Sequence, residues 1–319
     1  MKKALVTKLI AGQYEIVDLE TNEIKDAKAR GKLRLVTLDD KSSFLKQETR
    51  KTKIEKKTIM LSPKPGDIVD YENIDEQNII IDIMDRKNDL VRPDVANVDQ
   101  AILVFSCVKP DFSFYLLDKF LIIMKQNNLD CILVVSKIDL IEENVLVELK
   151  EKLKYYQEFL KLKIYYVNSK QRIGVDVLER EFKSKISVLA GQTGVGKSTL
   201  LNAIMPELGL KTQEISKALG RGKHTTRYSK LYPFNEGYIV DTPGFSKIEF
   251  KIFNIYDVKE YYSDFIVLSE NCKFGNKCLH INEPDCMVIK SNNSGILLKE
   301  RYDDYIAFCE EVKSQKSRY

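Results

Sequence analysis

Apolar and polar positions alternate over short stretches in the first 88 or so residues. Tyr14-Glu15-Ile16-Val17, Asp67-Ile68-Val69-Asp70-Tyr71 and Ile79-Ile80-Ile81-Asp82-Ile83 are separated by polar turns. Period-two alternation without a strong helical repeat predicts short strands in a small β barrel or sandwich. Between about 97 and 244 the pattern changes. Apolar runs at Ala101–Phe105, Cys131–Val135, Ile164–Val167, Ile186–Ala190 and Tyr238–Val240 predict strands, and 142–160 and 197–205 supply amphipathic helices. Nearly continuous Val, Ile and Leu in such runs imply strands buried on both faces, as in a parallel α/β sheet. After Gly244 a Cys/His cluster and a helical segment over 296–315 mark a third region. The chain shows no internal repeat and no low-complexity tract.

Composition narrows the class. At 319 residues, 44% hydrophobic and 31% charged, the chain has a globular balance and room for two or three domains. No apolar run reaches the roughly 18 to 20 residues that span a bilayer. The start, Met1–Val6, lacks the long apolar core of a signal peptide. These features predict a cytoplasmic protein. The net charge is only +4, but residues 25–64 hold thirteen Lys/Arg against five Asp/Glu. A local positive field of that kind suits a polyanionic partner, and equally a solvated lysine-rich loop. The segment 41–57 is expected to be a mobile loop between strands. Three of the six cysteines fall within fifteen residues, which reads as one metal site in a reduced compartment. Cys107 and Cys131 lie in apolar runs and are expected to be buried thiols.

The strongest motif is Gly191-Gln192-Thr193-Gly194-Val195-Gly196-Lys197-Ser198, followed by Thr199. It matches G-x-x-x-x-G-K-[ST], follows an apolar strand and opens a helix, which is the context the phosphate-binding loop requires. Its amide N–H groups and the helix N-terminus offer positive potential to phosphates. Lys197 is expected to reach the β- and γ-phosphates and Ser198 to coordinate Mg²⁺. The sequence Asp241-Thr242-Pro243-Gly244 ends the next strand. Asp241 there can hold Mg²⁺, and the Gly244 amide can sense the γ-phosphate.

Ser136-Lys137-Ile138-Asp139 ends the strand at 131–135 and resembles the N-K-x-D guanine-recognition motif, with serine in place of asparagine. Asp139 would accept a bidentate pair of hydrogen bonds from guanine, which adenine cannot supply. Lys137 would lay its stem over the base plane. Asn168-Ser169-Lys170, after the strand at 164–167, occupies the place of a second base-side loop. Loops at the carboxyl ends of neighbouring strands form the ligand edge of an open α/β sheet. GTP is therefore favoured over ATP.

In Ras-like proteins the phosphate loop comes first and the base-reading loops last; here the order is reversed. With the basic β-rich start containing Arg30-Gly31-Lys32, the segment Arg92–Gln100 and the C-terminal Cys/His cluster, the whole chain resembles the circularly permuted, small-ribosomal-subunit-dependent GTPases (the RsgA family, also called YjeQ or YloQ). The resemblance implies an OB-like RNA-binding barrel at 1–88, a permuted GTPase domain at 89–246 and a zinc-binding helical domain at 247–319. It also implies a monomer partnered by the 30S ribosomal subunit and its 16S rRNA, with GTP or GDP, Mg²⁺ and Zn²⁺ as ligands.

Gly220–Ser229 reads as the switch loop, in which Thr225 or Thr226 would complete Mg²⁺ coordination. Phe245 follows Gly244, where Ras-like enzymes place a water-orienting glutamine. Phe has no group for that task, so hydrolysis should be slow alone, and His224 is the candidate to place the water. Cys272-x5-Cys278-x-His280-x5-Cys286 supplies the Cys3His set of a closed, structural zinc site, with one residue more in the first spacer than is usual in the family. Two other readings stand beside this one. A nucleotide-regulated RNA-binding module with negligible turnover is suggested by Phe245 and Ser136. A permuted GTPase acting on the large subunit is the second.

Overall fold

A computed structural model describes residues 1–30, 33, 35–38, 57–91, 93–208, 229–241, 252 and 254–316. The alternating N-terminal stretches form a closed barrel. Its strands are β1 (Lys2–Ile10), β2 (Gln13–Asp18) and β3 (Ile24–Ala29), then, beyond the separate hairpin of β4 (Leu35–Leu38) and β5 (Lys57–Met60), β6 (Ile68–Ile74) and β7 (Gln77–Ile83). The order β1-β2-β3-β7-β6 returns to β1 through the β1–β6 pairing, and among the described residues β3 with β7 is the one parallel pair. That is the five-stranded Greek-key arrangement of an OB-like barrel. Alternation in β2 sends Tyr14, Ile16 and Asp18 inward. Tyr14 and Ile16 meet Val6, Val69, Tyr71 and Ile80 in a core of the barrel's own.

β8 (Asp89–Val91) and β9 (Asp94–Ala96) then pair with each other as a short hairpin that joins barrel to sheet. Arg86 forks onto buried Asp67 with Nε and a terminal nitrogen, each at 2.8 Å, and onto Asp89 at 2.7 Å. Lys64 bonds Asp89, the Leu90 carbonyl at 2.8 Å and Asp94 at 3.1 Å. Gly66 is required here, since a Cβ would lie 1.9 Å from the Ala96 carbonyl oxygen. The segment 92–100 that carries part of the family resemblance is thus largely a joint, with Arg92 outside the described residues.

The second sheet, continuous with the barrel through one pairing of β1 with its edge strand β14, has the order β12-β11-β10-β13-β15-β14. Its strands are β10 (Gln100–Ser106), β11 (Asp130–Ser136), β12 (Lys163–Val167), β13 (Ile186–Ala190), β14 (Lys230–Phe234) and β15 (Gly237–Asp241). All pairs are parallel except β14 with β15. Leu103, Phe105, Leu133 and Val135 face one apolar cluster, while Ile102, Val104, Ile132 and Val134 face another. The strands are therefore buried on both sides, as the apolar runs predict. Between them run α1 (Phe114–Gln126), α2 (Glu143–Phe159), α3 (Val175–Glu179) and α4 (Lys197–Ile204). The pattern reading gave α2 and α4 but not α1. FYLLDKFLIIMKQ carries Leu117, Phe120, Ile123 and Met124 at helical spacing along its buried side, with Tyr115, Lys119 and Gln126 opposite, so it is an amphipathic helix that the reading of apolar runs passed over. Its start is fixed by Ser113, whose Oγ accepts from the Leu116 N–H.

The C-terminal part comprises α5 (Ile255–Val258), α6 (Ser263–Leu268), α7 (Met287–Asn293) and α8 (Lys299–Lys316). Among the described residues it has no separate core: Tyr262, Phe265, Tyr305, Phe308 and Val312 share one cluster with Leu117, Phe120 and Ile123 of α1. The thiol expectations need correction. Cys107 and Cys131 are half-buried, and Cys107 lies just past the end of β10, not inside it. Cys309 is the buried one of the three. Among the described residues, no helix is long and apolar enough to cross a membrane.

Candidate nucleotide site and metal centre

The carboxyl edge of the second sheet gathers the motif residues. β13 ends at Ala190 and α4 begins at Lys197, capped by Gly196 at φ 97°. The loop between them carries Gly191, Gly194 and Gly196, all at positive φ, where side chains are disfavoured. Gly191 also passes so close to β10 that a Cβ would sit 2.2 Å from the Val104 carbonyl oxygen. Gln192, Thr193 and Val195 complete the turn, and Ser198 and Thr199 lie half-buried in the first turn of α4. Lys197 folds back, its Nζ donating to the carbonyls of Gly191 at 2.7 Å and Gln192 at 2.6 Å. Burial without a counter-charge brings its ammonium down to about 8, because desolvation penalises the charged form.

Asp241 is the last residue of β15, one strand from the phosphate loop through the parallel pairing of Val188 with Val240. Two strands to the other side, β11 ends at Ser136. Ser136 is 3% exposed, and its Oγ donates to the Val195 carbonyl at 2.6 Å. Lys137 takes φ 59° and starts the single turn Ile138–Leu140. Its Nζ donates to the carbonyls of Val108 at 3.2 Å and Lys109 at 2.5 Å. Asp139 is exposed on that turn. Its charge, after burial, helps push the Cys107 thiol up to about 11. Next door, Asn168 is buried after β12, and its Oδ1 accepts from the N–H of Lys170 at 3.1 Å and of Gln171 at 3.3 Å. Ser169 is half-buried and Lys170 exposed.

From β13 to β11 is two strand spacings, about 10 Å. A nucleotide lying along this edge would meet the anion-binding loop at one end and Asp139 at the other. The loop Cys107–Pro110, which motif reading missed, lies between them. It has no motif of its own and enters only through the Lys137 bonds. His224, Thr225, Thr226, Gly244 and Phe245 lie outside the described residues, as do Gly31, Lys32 and the basic segment through Lys56.

At the far end of the C-terminal helices, Cys272, Cys278, His280 and Cys286 are all buried, with ligand atoms within 4.8 Å of one another. Cys272 Sγ lies 3.9 Å from Cys286 Sγ and 3.8 Å from His280 Nδ1, which is 3.3 Å from Cys286 Sγ. A tetrahedron with Zn–S of about 2.3 Å and Zn–N of about 2.0 Å has edges of roughly 3.5 to 3.8 Å. The donor set fits. The five-residue spacer is absorbed by a tight turn at Gly275–Lys277, in which the Cys278 N–H donates to the Gly275 carbonyl. The Met287 N–H donates to Cys272 Sγ at 3.2 Å, and the hydroxyls of Tyr302 and Tyr305 hold the carbonyls of His280 and Leu279. Such outer contacts orient metal ligands. Burial, then Lys259, brings His280 down to about 4, leaving a neutral imidazole.

A buried ionic group that no motif announced joins the C-terminal helices to the sheet. Arg301 of α8 donates from Nε and a terminal nitrogen to Asp264 at 2.6 and 3.0 Å. Its other terminal nitrogen reaches Asp118 of α1 at 2.6 Å. Tyr156 and Tyr155 donate to Asp118 and Asp264 respectively, each at 2.9 Å. The guanidinium lies 4.2 Å from the Tyr262 ring centroid. Despite Arg301, burial pushes Asp118 up to about 6.

The RsgA GTPase family model matches residues 83–251. A small ribosomal subunit biogenesis GTPase RsgA of onion yellows phytoplasma is 51% identical over 315 residues, covering 99% of both chains. The protein of that name from Bacillus subtilis is 38% identical over 323 residues, covering 100% of both. The crystal structure of YjeQ from Thermotoga maritima superposes with a TM-score of 0.75 at 31% identity, covering 98% of each chain. That of YloQ, described as a circularly permuted GTPase, gives 0.75 at 33%, covering 99% of this chain and 96% of its own. The permuted order of strands and loops, the barrel before them and the Cys3His cluster behind them agree with these matches, and the chain belongs to the RsgA GTPase family.

Proposed function

We propose that the chain binds GTP along the carboxyl edge of the second sheet, hydrolyses it to GDP and phosphate, and acts on the small ribosomal subunit during its late maturation. The observation that carries this reading is the delivery of Gly191–Ser198, Asp241, Ser136–Asp139 and Asn168–Lys170 to one edge of a parallel sheet. The chain's curated relatives are named small ribosomal subunit biogenesis GTPases.

The phosphate loop wraps the phosphates with its amides, and Lys197 leaves its carbonyl partners to meet the β- and γ-oxygens. Asp139 accepts from the guanine edge, and the backbone of 168–170 closes the base side. Ser198, Asp241 and either Thr225 or Thr226 would hold Mg²⁺, which when bound neutralises charge building on the β- and γ-phosphates. His224 positions water in place of the missing glutamine. Zinc in the Cys3His set would stabilise the C-terminal helices, with no coordination position left for chemistry. The three units are taken as 1–88, 89–246 and 247–319. The barrel and its basic insertion would meet phosphates of 16S rRNA, in a cytoplasmic monomer.

The test is phosphate release from GTP and from ATP, each alone, with purified 30S and with purified 50S subunits. The expected result is GTP-selective turnover raised by 30S. Turnover raised by 50S alone, or equal use of ATP, would overturn the proposal. His224→Ala should then lower 30S-stimulated kcat far more than GTP affinity, and equal loss of both would remove His224 from catalysis.

A further inference from the structure

We infer that Glu283 is a positioning residue of the Cys3His site, whose carboxylate folds the loop that presents His280 to the metal without touching the metal itself. The inference rests on reading Cys272, Cys278, His280 and Cys286 as a zinc site, and it adds a residue that the ligand spacing does not mark. Between the turn at Gly275–Lys277 and the start of α7 at Met287 the chain forms neither helix nor strand. Two residues of that stretch, His280 at φ 58° and Asp285 at φ 56°, take left-handed backbone. A residue with a side chain keeps that conformation only where its surroundings hold it. The loop therefore needs a brace.

Glu283 supplies it. Its Oε1 accepts from the Leu279 N–H at 2.8 Å, and its Oε2 accepts from the N–H groups of Ile281 at 2.8 Å and Asn282 at 3.2 Å. Those amides stand on both sides of His280. The carbonyls of His280 and Leu279 are taken from α8 instead, by the hydroxyls of Tyr302 at 2.9 Å and Tyr305 at 2.6 Å. The backbone around His280 is thus held by acceptors from Glu283 and donors from α8, with Nδ1 3.3 Å from Cys286 Sγ. Both oxygens of Glu283 are committed to backbone, and Glu283 is outside the set whose ligand atoms converge. The three thiols lean on other contacts. Cys286 stands at the N-terminus of α7, the Cys278 carbonyl accepts from Lys259 Nζ at 3.0 Å, and Cys272 Sγ accepts from the Met287 N–H. Loss of Glu283 should therefore loosen one corner of the site, that of His280.

Glu283→Gln keeps the shape of the side chain but removes its charge and one acceptor. The remaining oxygen can serve one side of His280, while the amide NH2 faces N–H groups that it cannot accept from. The experiment is zinc titration of the full chain, Glu283→Gln, His280→Ala and the double variant, by competition with a chromophoric chelator at fixed pH. Glu283→Gln should weaken zinc binding about 10- to 100-fold, the range for residues that hold a metal ligand from behind. In the His280→Ala background the corner that Glu283 serves is gone, so the same change should alter affinity less than about threefold. Equal loss in both backgrounds would make Glu283 a general support of the loop and overturn the inference. Unchanged affinity in the single variant would leave the brace without effect on the metal, and overturns it too. So would loss of helical circular dichroism in Glu283→Gln with zinc in excess, which would make Glu283 a folding residue. An unaltered chain that takes up no zinc would refute the zinc reading itself and the inference with it, a result distinct from all of these because it needs no variant.

Discussion

The N-terminal barrel and the C-terminal helices flank the same sheet but are joined to it to different extents. The barrel has its own apolar cluster around Val6, Ile16, Val69 and Ile80. It meets the sheet through one backbone pairing of Lys8 with Lys230, the Arg86, Lys64 and Asn97 bonds of the linker, and a narrow apolar contact in which Leu5 and Ile68 reach the cluster of the sheet. The C-terminal helices pack Phe265, Tyr305 and Phe308 into the cluster that also holds Leu117, Phe120 and Leu133. A unit with a private core can open or reorient without unfolding its neighbour; one that shares a core cannot. This difference gives the barrel more freedom to reorient and ties the C-terminal helices to the stability of the central sheet.

The largest expected effect comes from the Cys3His cluster proposed to hold zinc. Structural zinc contributes on the order of 10 kcal/mol to small domains folded around it. Chelation or Cys278→Ser should therefore raise amide hydrogen exchange through α6–α8 and also in α1, which shares their core. Barrel amides in β2 and β7 should keep their protection. Exchange confined to 272–286 would break the comparison, because the C-terminal unit would then be separable after all.

Arg301→Ala is expected to cost about 3–5 kcal/mol, since it strands two buried carboxylates. Urea unfolding should show the loss in the transition of the sheet, with any separate barrel transition unmoved. The group was illegible in the sequence because Arg301 and its partners stand 183 and 37 residues apart and no local pattern links them. α1 differs: its buried Leu117, Phe120, Ile123 and Met124 recur at helical spacing, so its period was present in the sequence. What could be read was chemistry confined to short spans. Tyr14–Val17 alternates, Gly191–Ser198 sits at a strand-to-helix turn, and 272–286 holds its ligands within one loop. Ser136 lies between these cases. The motif exposed the substitution, but only the fold brings Val195 over its hydroxyl.

A smaller effect tests whether the two faces of the sheet are as separate as the two clusters imply. Burial sets the Lys197 ammonium at about 8 in the free protein, and phosphates raise it again by charge attraction. Below pH 8 the proton is present in both states. Above it, binding must take the proton back. GDP affinity should therefore fall by up to tenfold per pH unit beyond about 8, or ~1.4 kcal/mol, with uptake of one proton visible by calorimetry in buffers of different ionisation enthalpy. Leu200, Leu201 and Ile204 of α4 belong to the cluster on the face away from α8. The midpoint should consequently be the same in Arg301→Ala. A shifted midpoint would connect the C-terminal core to the phosphate loop.

The smallest effect, that of Lys87→Ala, belongs to the barrel side. Lys87 bonds Asp99 at 2.9 Å across the joint, with side chains 50% and 36% exposed. Exposed ion pairs of this kind contribute between nothing and about 1 kcal/mol, so Lys87→Ala should be almost silent in urea unfolding. Asp99 has a second task, because its other oxygen accepts from the Ile186 N–H at 2.7 Å. Asp99→Ala leaves that half-buried donor without its acceptor at the start of β13 and should cost about 1–3 kcal/mol. A larger loss for Asp99 than for Lys87 would mean that a backbone hydrogen bond, not the surface charge pair, fixes the linker to the sheet. Equal losses would mean that the ion pair is the fastening, and high salt should then loosen the barrel while leaving the shared C-terminal core intact.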